Sequence, residues 1–280
     1  MLTRREVLKS FAIGAAAWAI PKTMAAASPL KATLFNHISY QSADYKKTRD
    51  FYVDLLGFQA SDEDDKQLYV WAGDALISCK NTPNVKAPLM DHFGLTLEPW
   101  NSATVKSVLQ ERGLNVRQSS GDPHDPAGPS QSIFTNDPFR YTVQLGPKDL
   151  EGKPAPVASK SPLKAVGINH ISYQCADYKK VRDFYTDLFG VPVSKDDGKQ
   201  AYLWLGDAYI VVRNNADGNP KPVVDHFGWT VANWNVQKIT DILKQRGLDA
   251  KPDAQGLSVM TKDLNGYPLQ LCSKDLEKRP

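Results

Sequence analysis

The chain has 280 residues, which is enough for two domains of ordinary size, each with its own core. Its 34 basic and 31 acidic residues are unevenly placed, because residues 1–27 contain four of the basic residues and one of the acidic ones. The remainder therefore holds 30 of each, and this balance removes the electrostatic basis for a nucleic-acid-binding protein.

Residues 1–27 have the organisation of an export signal. Arg4 and Arg5 precede a short apolar run, and Ala25-Ala26-Ala27 offers the small residues that signal peptidases recognise. The segment resembles a twin-arginine signal, which implies the twin-arginine export machinery as a partner and a periplasmic or secreted protein. About ten apolar residues cannot span a hydrocarbon layer about 30 Å thick, so no stable membrane anchor is expected.

The rest of the chain is a tandem duplication. Residues 34–59 match residues 167–192 at 18 of 26 positions, and Asp91-His92-Phe93-Gly94 returns as Asp225-His226-Phe227-Gly228. The first copy is longer by roughly eight residues, which we assign to the loop 118–132. A period this long indicates a duplicated domain. The three cysteines do not correspond between the copies, which argues against a disulfide framework.

In chain order, each copy begins with a strand and a helix. Leu34–Gln41 alternates and is rich in β-branched and aromatic residues, which predicts a strand. Asp44 is the predicted cap of the next helix, and Gly57 is its predicted end. The second copy repeats this design with Asp177 and Gly190.

Each copy continues with a hairpin and a second strand-helix unit. Segments 67–71 and 75–79 predict the hairpin of the first copy. A strand over 92–97, a helix capped by Asn101 and a closing strand over 141–145 follow. Each copy therefore reads strand, helix and three strands, and then strand, helix and two or three strands.

The segment between the copies is rich in Pro, Lys and Ala and has neither helical nor strand periodicity, which is typical of a linker. The predicted organisation is a signal peptide at 1–27, a first domain at 32–146, a linker at 147–166 and a second domain at 167–276.

Strand alternation separates a polar face from an apolar face in each copy. The polar face of the first copy receives one side chain from each of its first, fifth and last strands, namely His37, His92 and Gln144. The second copy gives His170, His226 and Gln270 by the same rule. Asn36 is predicted on the opposite face, with Ile38 and Tyr40. A curved sheet with such a polar face forms the wall of a cavity.

These features carry a family resemblance. Paired strand-helix-strand-strand-strand units, with His in the first and fifth strands and Asp263-Leu264-Asn265-Gly266 before the last, resemble the vicinal oxygen chelate superfamily. That superfamily contains glyoxalase I, extradiol dioxygenases, methylmalonyl-CoA epimerase, fosfomycin-modifying enzymes and bleomycin-binding proteins. Asp137-Pro138 matches the closing motif more loosely. The resemblance covers residues 32–276 and implies an α+β fold of tandem domains, each with two βαβββ modules forming a curved mixed sheet around a cavity.

The resemblance also implies metal ligands at six positions. They form one set in each copy: His37, His92 and Gln144, then His170, His226 and Gln270. The superfamily normally has Glu at the last position, which makes a two-histidine-one-carboxylate site with open positions for substrate. A neutral Gln would hold a metal less tightly and leave it more positive. Fe, Mn, Zn or Ni would all suit such nitrogen and oxygen donors.

Two hypotheses from different classes follow. The first is a metal-dependent enzyme, either a ring-cleaving dioxygenase or a lyase or isomerase, acting on a small oxygen-rich or aromatic molecule in one or both domains. The second is a metal-free protein of the bleomycin-resistance type that binds or sequesters a small molecule, with each Gln hydrogen-bonded to two buried imidazoles. The two copies can supply the pseudo-dimer of single-domain relatives, so the chain is expected as a monomer or a homodimer.

Other side chains are assigned by position. Two tyrosines are predicted to point into the core and two tryptophans to pack beside helix caps: Tyr141, Tyr267, Trp100 and Trp234. Four aromatic residues fit a cavity wall and ordinary packing equally well: Tyr69, Trp71, Tyr202 and Trp204. Cys272 is predicted beside the second cavity, and His124 is predicted in an exposed loop.

Overall fold

The computed structural model describes residues 28–61, 63–119, 132–150, 152–216 and 220–278. The predicted signal peptide, His124 and most of the loop 118–132 lie outside the described residues. Within those ranges, no helix has the length and apolar character needed to cross a membrane.

The two copies have the same order of elements. The first contains β1 (Ala32–Ser42), α1 (Tyr45–Leu56), β2 (Gln59–Ser61), β3 (Gln67–Ala72), β4 (Ala75–Asn81), β5 (Leu89–Leu97), α2 (Ser102–Glu111), β6 (Arg117–Gln118), β7 (Ile133–Asn136) and β8 (Thr142–Gly146). The second contains β9 (Ala165–Cys175), α3 (Tyr178–Phe189), β10 (Val193–Asp196), β11 (Gln200–Leu205), β12 (Ala208–Asn214), β13 (Val223–Val231), α4 (Val236–Gln245), β14 (Lys251–Pro252), β15 (Ser258–Lys262) and β16 (Pro268–Cys272).

The helices begin and end where their sequences predict. The Asp44 side chain accepts a hydrogen bond from the Lys47 amide at 3.1 Å, which satisfies a free N–H in the first turn of α1. Gly57 ends α1 with φ at 71°, a left-handed conformation that strains residues with a Cβ atom. Asp177 and Gly190 do the same for α3, so the predicted caps are confirmed.

Each copy folds into one mixed sheet of eight described strands. The order is β2-β3-β4-β1-β5-β8-β7-β6 in the first sheet and β10-β11-β12-β9-β13-β16-β15-β14 in the second. β1 pairs antiparallel with β5 at the centre, and β5 pairs in parallel with β8. Each sheet is built from two βαβββ modules, so the predicted α+β fold of tandem domains is confirmed.

The apolar faces of the two sheets meet in one continuous core. Residues of each copy pack against the apolar face of the other. The Phe58 ring lies 4.7 Å from the Trp229 ring, and the Phe93 ring lies 6.2 Å from the Tyr185 ring, measured between centroids. Tyr141 lies in this core, where its ring stacks on Phe93, as predicted.

Candidate metal centre

In the first domain, three side-chain atoms meet at one point on the polar face. The Nε2 atoms of His37 and His92 are 3.3 Å apart. The Oε1 atom of Gln144 lies 3.1 Å from the first of these nitrogens and 2.9 Å from the second. Strand alternation predicted this grouping, and all three side chains are buried.

Two β-bulges place further polar side chains behind the imidazoles. Phe35 pairs with Leu95 and His37 pairs with Gly94, so Asn36 is an extra residue in β1. Its Oδ1 atom lies 2.7 Å from Nδ1 of His37. The prediction that Asn36 points to the apolar face is therefore wrong, because a bulge breaks the alternation of a strand.

A second bulge acts on the other imidazole of the first domain. Asp91 is the extra residue in β5, and its Oδ2 atom lies 3.3 Å from Nδ1 of His92. The same carboxylate also binds Gln41 at 3.0 Å and Lys80 at 3.3 Å. Asn169 and Asp225 hold equivalent positions beside the histidines of the second domain, at 2.9 Å and 3.4 Å.

These neighbours determine which ring nitrogen carries the proton. A carboxylate only accepts hydrogen bonds, so Nδ1 of His226 donates to Asp225. The Asn169 amide nitrogen faces the Ser273 carbonyl and the Thr230 hydroxyl, which leaves its oxygen to accept from Nδ1 of His170. Both Nε2 atoms therefore present lone pairs, and an outer partner on the far nitrogen is the usual support of a metal-binding histidine.

The orientation of the glutamine amide is also determined in the second domain. Asp253 accepts from two backbone amides and from the Ser258 hydroxyl, the last at 2.6 Å. Burial tends to raise the pKa of Asp253, but these hydrogen bonds outweigh it and lower the pKa below its usual value. Ser258 has one hydroxyl proton and donates it to Asp253. Its Oγ atom therefore accepts a hydrogen bond from Nε2 of Gln270 at 2.7 Å. The amide oxygen, rather than its NH₂ group, therefore points toward the histidines.

Burial keeps the first histidine of each set neutral. Burial, followed by the neighbouring His92, lowers the pKa of His37 well below its usual value. Burial and His226 lower the pKa of His170 to about 3. Neutral imidazole is the form that binds a metal.

The acid behind the second histidine stays charged. Burial alone would raise the pKa of Asp225, but the hydrogen bond from His226 and the charge of Arg213 outweigh it, so the pKa falls to about 2. Asp225 also forms a salt bridge with Arg213 at 2.6 Å.

A glycine makes room for each set, a role that the sequence interpretation missed. Gly94 lies between His37 and Gln144 in the same row of the sheet. A Cβ atom at Gly94 would lie 2.2 Å from Nδ1 of His37, so only glycine lets the ring lie across β5. Gly228 holds the same place between His170 and Gln270. The return of Gly in the Asp-His-Phe-Gly repeat was the available signal.

The donor set fits a divalent cation. Ligands about 2.1 Å from a metal and at right angles to each other are about 3.0 Å apart, and the three separations here run from 2.9 to 3.3 Å. The imidazole pair is the same in both domains, with centroids 5.3 Å apart and planes at 86° and 85°. Among the described residues no cluster of three His, Cys, Asp or Glu could hold a metal. A metal here would therefore need the Gln oxygen as its third donor.

The two sets differ in their cover. In the first domain the Phe134 ring lies against His92, 5.7 Å between centroids, and the Arg117 guanidinium lies 3.9 Å above Phe134. The matching residue opposite Gln270 is Met260, which is flexible and only partly buried. The His226 side chain is 16% exposed against 9% for His92, so the second set is the more accessible.

A cavity of about 470 Å³ lies behind the second set. It is lined by Trp204, Tyr209, Asn169 and Lys274, among others. The Tyr209 ring stacks on His170 at 5.2 Å and 19°. Trp204 both lines this cavity and packs against Tyr209, with centroids 5.0 Å apart.

The remaining aromatic residues with open assignments pack in small clusters, and Cys272 lies beside the second set. Tyr202 packs with Tyr209 in a small aromatic cluster apart from the main core. Tyr69 and Trp71 form a similar cluster in the first domain, with Leu76. Cys272 Sγ lies 3.9 Å from Nδ1 of His170, beside the second set as predicted.

The chain belongs to the Glyoxalase/Bleomycin resistance protein/Dioxygenase superfamily, whose family model matches residues 34–145 and 167–271. Both copies are matched, so the class predicted from the sequence is confirmed.

The comparisons also find particular relatives. The metallothiol transferase FosB of Staphylococcus haemolyticus is 27% identical over 124 residues, which cover 40% of this chain and 87% of that protein. The Mn(II)-bound glyoxalase of Novosphingobium aromaticivorans has a TM-score of 0.70 at 16% identity, with 88% of this chain and 83% of that chain covered. Homoprotocatechuate 2,3-dioxygenase of Arthrobacter globiformis has a TM-score of 0.71 at 17% identity, with 88% and 81% covered. At these identities the structural likeness shows the fold.

Proposed function

We propose that the protein is a divalent-metal-dependent enzyme of this superfamily, with one donor set in each domain. Its substrate is a small oxygen-rich or aromatic molecule, and its reaction is a ring-cleaving dioxygenation or a lyase or isomerase reaction. Two observations carry the proposal. Two Nε2 atoms and one Oε1 atom converge within 2.9 to 3.3 Å in the first domain. In the second domain the outer partners of the same three side chains leave the two Nε2 atoms and the Oε1 atom with lone pairs.

The metal would be Fe, Mn, Zn or Ni, held by His37, His92 and Gln144 and by His170, His226 and Gln270. When bound, it would supply Lewis-acid stabilisation of negative charge on substrate oxygens. The relatives are named as Mn(II)-bound, as a metallothiol transferase and as a dioxygenase, which supports metal dependence and leaves both the metal and the reaction open.

The protein's own side chains orient the donors and set their charge. Asn169 and Asp225 hold the Nδ1 protons, so both imidazoles keep one tautomer and one ring orientation. All three donors are neutral, and Asp225 already shares its charge with Arg213. Such a site favours a substrate that contributes a negatively charged oxygen.

The second domain is the better candidate for the reactive one. Its set is the more exposed, because the His226 side chain is 16% exposed against 9% for His92. Met260 lies opposite Gln270, at the position that Phe134 holds opposite Gln144. The first domain, covered by Phe134, would then bind a metal more for structure than for turnover.

Replacing Gln270 with Glu tests whether the set binds a metal. We expect Gln270→Glu to tighten metal binding in the second domain at least tenfold, about 1.4 kcal/mol, because a carboxylate replaces a neutral oxygen. Isothermal titration of the chelator-treated protein with Mn²⁺ or Zn²⁺ measures this. Gln200→Glu adds the same charge outside the set, where Gln200 binds Tyr202, and should leave affinity unchanged.

The second candidate is a metal-free small-molecule binder of the bleomycin-resistance type. The neutral Gln in place of the usual carboxylate favours it. That arrangement would need the NH₂ group of each amide to donate to both imidazoles. In the second domain Ser258 donates its proton to Asp253 and accepts from the NH₂ group of Gln270, which turns that group away from the histidines. Under this candidate Gln270→Glu would place an uncompensated charge in a largely buried site, lower the free energy of unfolding, and leave metal affinity negligible.

We also propose that the protein is exported to the periplasm or secreted by the twin-arginine pathway, with the first 27 residues removed. The proposal rests on Arg4 and Arg5, the apolar run and the three alanines that follow. Arg4→Lys combined with Arg5→Lys should leave the full-length precursor in the cytoplasm, as judged by cell fractionation and immunoblotting. Normal export of that double variant would contradict this route.

A further inference from the structure

Two buried tyrosines bridge the domains in a reciprocal pattern. The Tyr40 hydroxyl, on β1 of the first domain, donates to Oδ2 of Asp263 in the second domain at 2.6 Å. The Tyr173 hydroxyl, on β9 of the second domain, donates to Oδ2 of Asp137 in the first domain. All four residues are buried, so neither hydrogen bond competes with water.

Each aspartate accepts backbone hydrogen bonds in the turn before the strand that carries the glutamine of its own domain. The other oxygen of Asp263 accepts from the backbone amides of Asn265 and Tyr267, both at 2.9 Å. This turn runs directly into β16, which carries Gln270. Asp137 accepts in the same way from Phe139 at 2.8 Å and Tyr141 at 2.9 Å, at the start of the strand that carries Gln144.

Ring packing reinforces both bridges. The Tyr40 ring lies 5.4 Å from Tyr267, and the Tyr173 ring lies 5.2 Å from Tyr141, each edge to face. Each bridging tyrosine also lies three residues after a histidine of the donor sets, His37 or His170. One short strand segment therefore carries a ligand of its own domain and a hydroxyl that fixes the turn of the other.

We propose that Tyr40 is a positioning residue for Gln270 and Tyr173 for Gln144, so that the third donor of each set is held in place from the other side of the domain interface. The role of the glutamines as ligands rests on the proposed function, whereas the crossed support of the two strands does not depend on it. The bridges give a physical reason for two domains in one chain. In an isolated domain, the aspartate before the closing strand would lack the hydrogen bond from the tyrosine of the other domain.

Removing one hydroxyl tests the crossed pattern. In the chelator-treated full chain, Tyr40→Phe should speed backbone amide exchange about tenfold in residues 263–272 and leave residues 137–146 unchanged. Tyr173→Phe should give the opposite pattern. Hydrogen exchange followed by mass spectrometry resolves both segments without any metal.

Matched controls come from two buried tyrosines at the same interface. The hydroxyls of Tyr52 and Tyr185 have no hydrogen-bond partner among the residues that the structure describes, so Tyr52→Phe and Tyr185→Phe remove the same atom without breaking a bridge. Neither control should change exchange in either segment. Equal acceleration of both segments by Tyr40→Phe, or acceleration confined to its own domain, would overturn the proposal.

Metal binding provides the second readout. In a His92→Ala background, which leaves only the second set, Tyr40→Phe should weaken Mn²⁺ or Zn²⁺ binding tenfold or more, while Tyr173→Phe should not. A His226→Ala background should reverse the pattern. If the single-set proteins bind no metal, the proposed function fails, and the exchange pattern still decides whether the support is crossed.

Discussion

We expect His226→Ala to remove one metal ion per chain and His92→Ala to remove the other. Each substitution deletes one of three donors, and the two that remain, an imidazole and a neutral amide, cannot hold a divalent ion tightly. Elemental analysis of the purified variants, as moles of metal per chain, measures the loss.

The two variants control for each other, because each retains the donor set of the other domain. The free energy of unfolding of the chelator-treated proteins should fall only modestly, since neither side chain belongs to the apolar core. The double variant should contain no metal. Loss of both metals from a single variant would contradict one complete set per domain.

The second large effect is expected at Gly94. A Cβ atom there would lie 2.1 Å from Oδ1 of Asn36 and 2.2 Å from Nδ1 of His37, so the ring must leave its place. We expect Gly94→Ala to abolish metal binding in the first domain. Overpacking should also cost about 1–3 kcal/mol of unfolding free energy, measured by urea denaturation.

Two further glycines make the test specific. Gly228→Ala should do the same to the second domain, where a Cβ atom would lie 2.6 Å from Nδ1 of His170. Gly167→Ala is the control, because a Cβ atom there meets nothing within 4 Å. Full metal content in Gly94→Ala would show that the His37 ring position is not needed for binding.

Much of this architecture is predictable because its signals are local. The duplication is visible as a repeat of the sequence, and the caps at Asp44 and Gly57 depend on neighbouring residues. Strand alternation places His37, His92 and Gln144 on one face. Each of these rules depends on one strand or helix at a time, which explains why the side chains of the polar face can be assigned without a structure.

The features that were missed depend on pairing between strands and domains. Asn36 changes face because of a bulge that exists only in the register with β5. Gly94 matters because the row of the sheet places it between two ligands from other strands. The hydrogen bond from Tyr40 to Asp263 joins residues 223 positions apart, and no local pattern reports such a contact.

The replacement of a carboxylate by Gln gives the site its particular chemistry. With neutral donors, the carboxylates in contact with the histidines are those of Asp91 and Asp225, and each of these already pairs with a basic side chain. The site should therefore bind a metal more weakly than a two-histidine-one-carboxylate site and attract an anionic substrate more strongly.

The central claim is that each domain holds one divalent metal ion. Its most direct test is elemental analysis of the wild-type protein, purified without chelators or a metal-affinity tag. We predict close to two transition-metal ions per chain. A value near zero that persists after incubation with Fe²⁺, Mn²⁺, Ni²⁺ and Zn²⁺ would contradict the account and favour a metal-free binding protein.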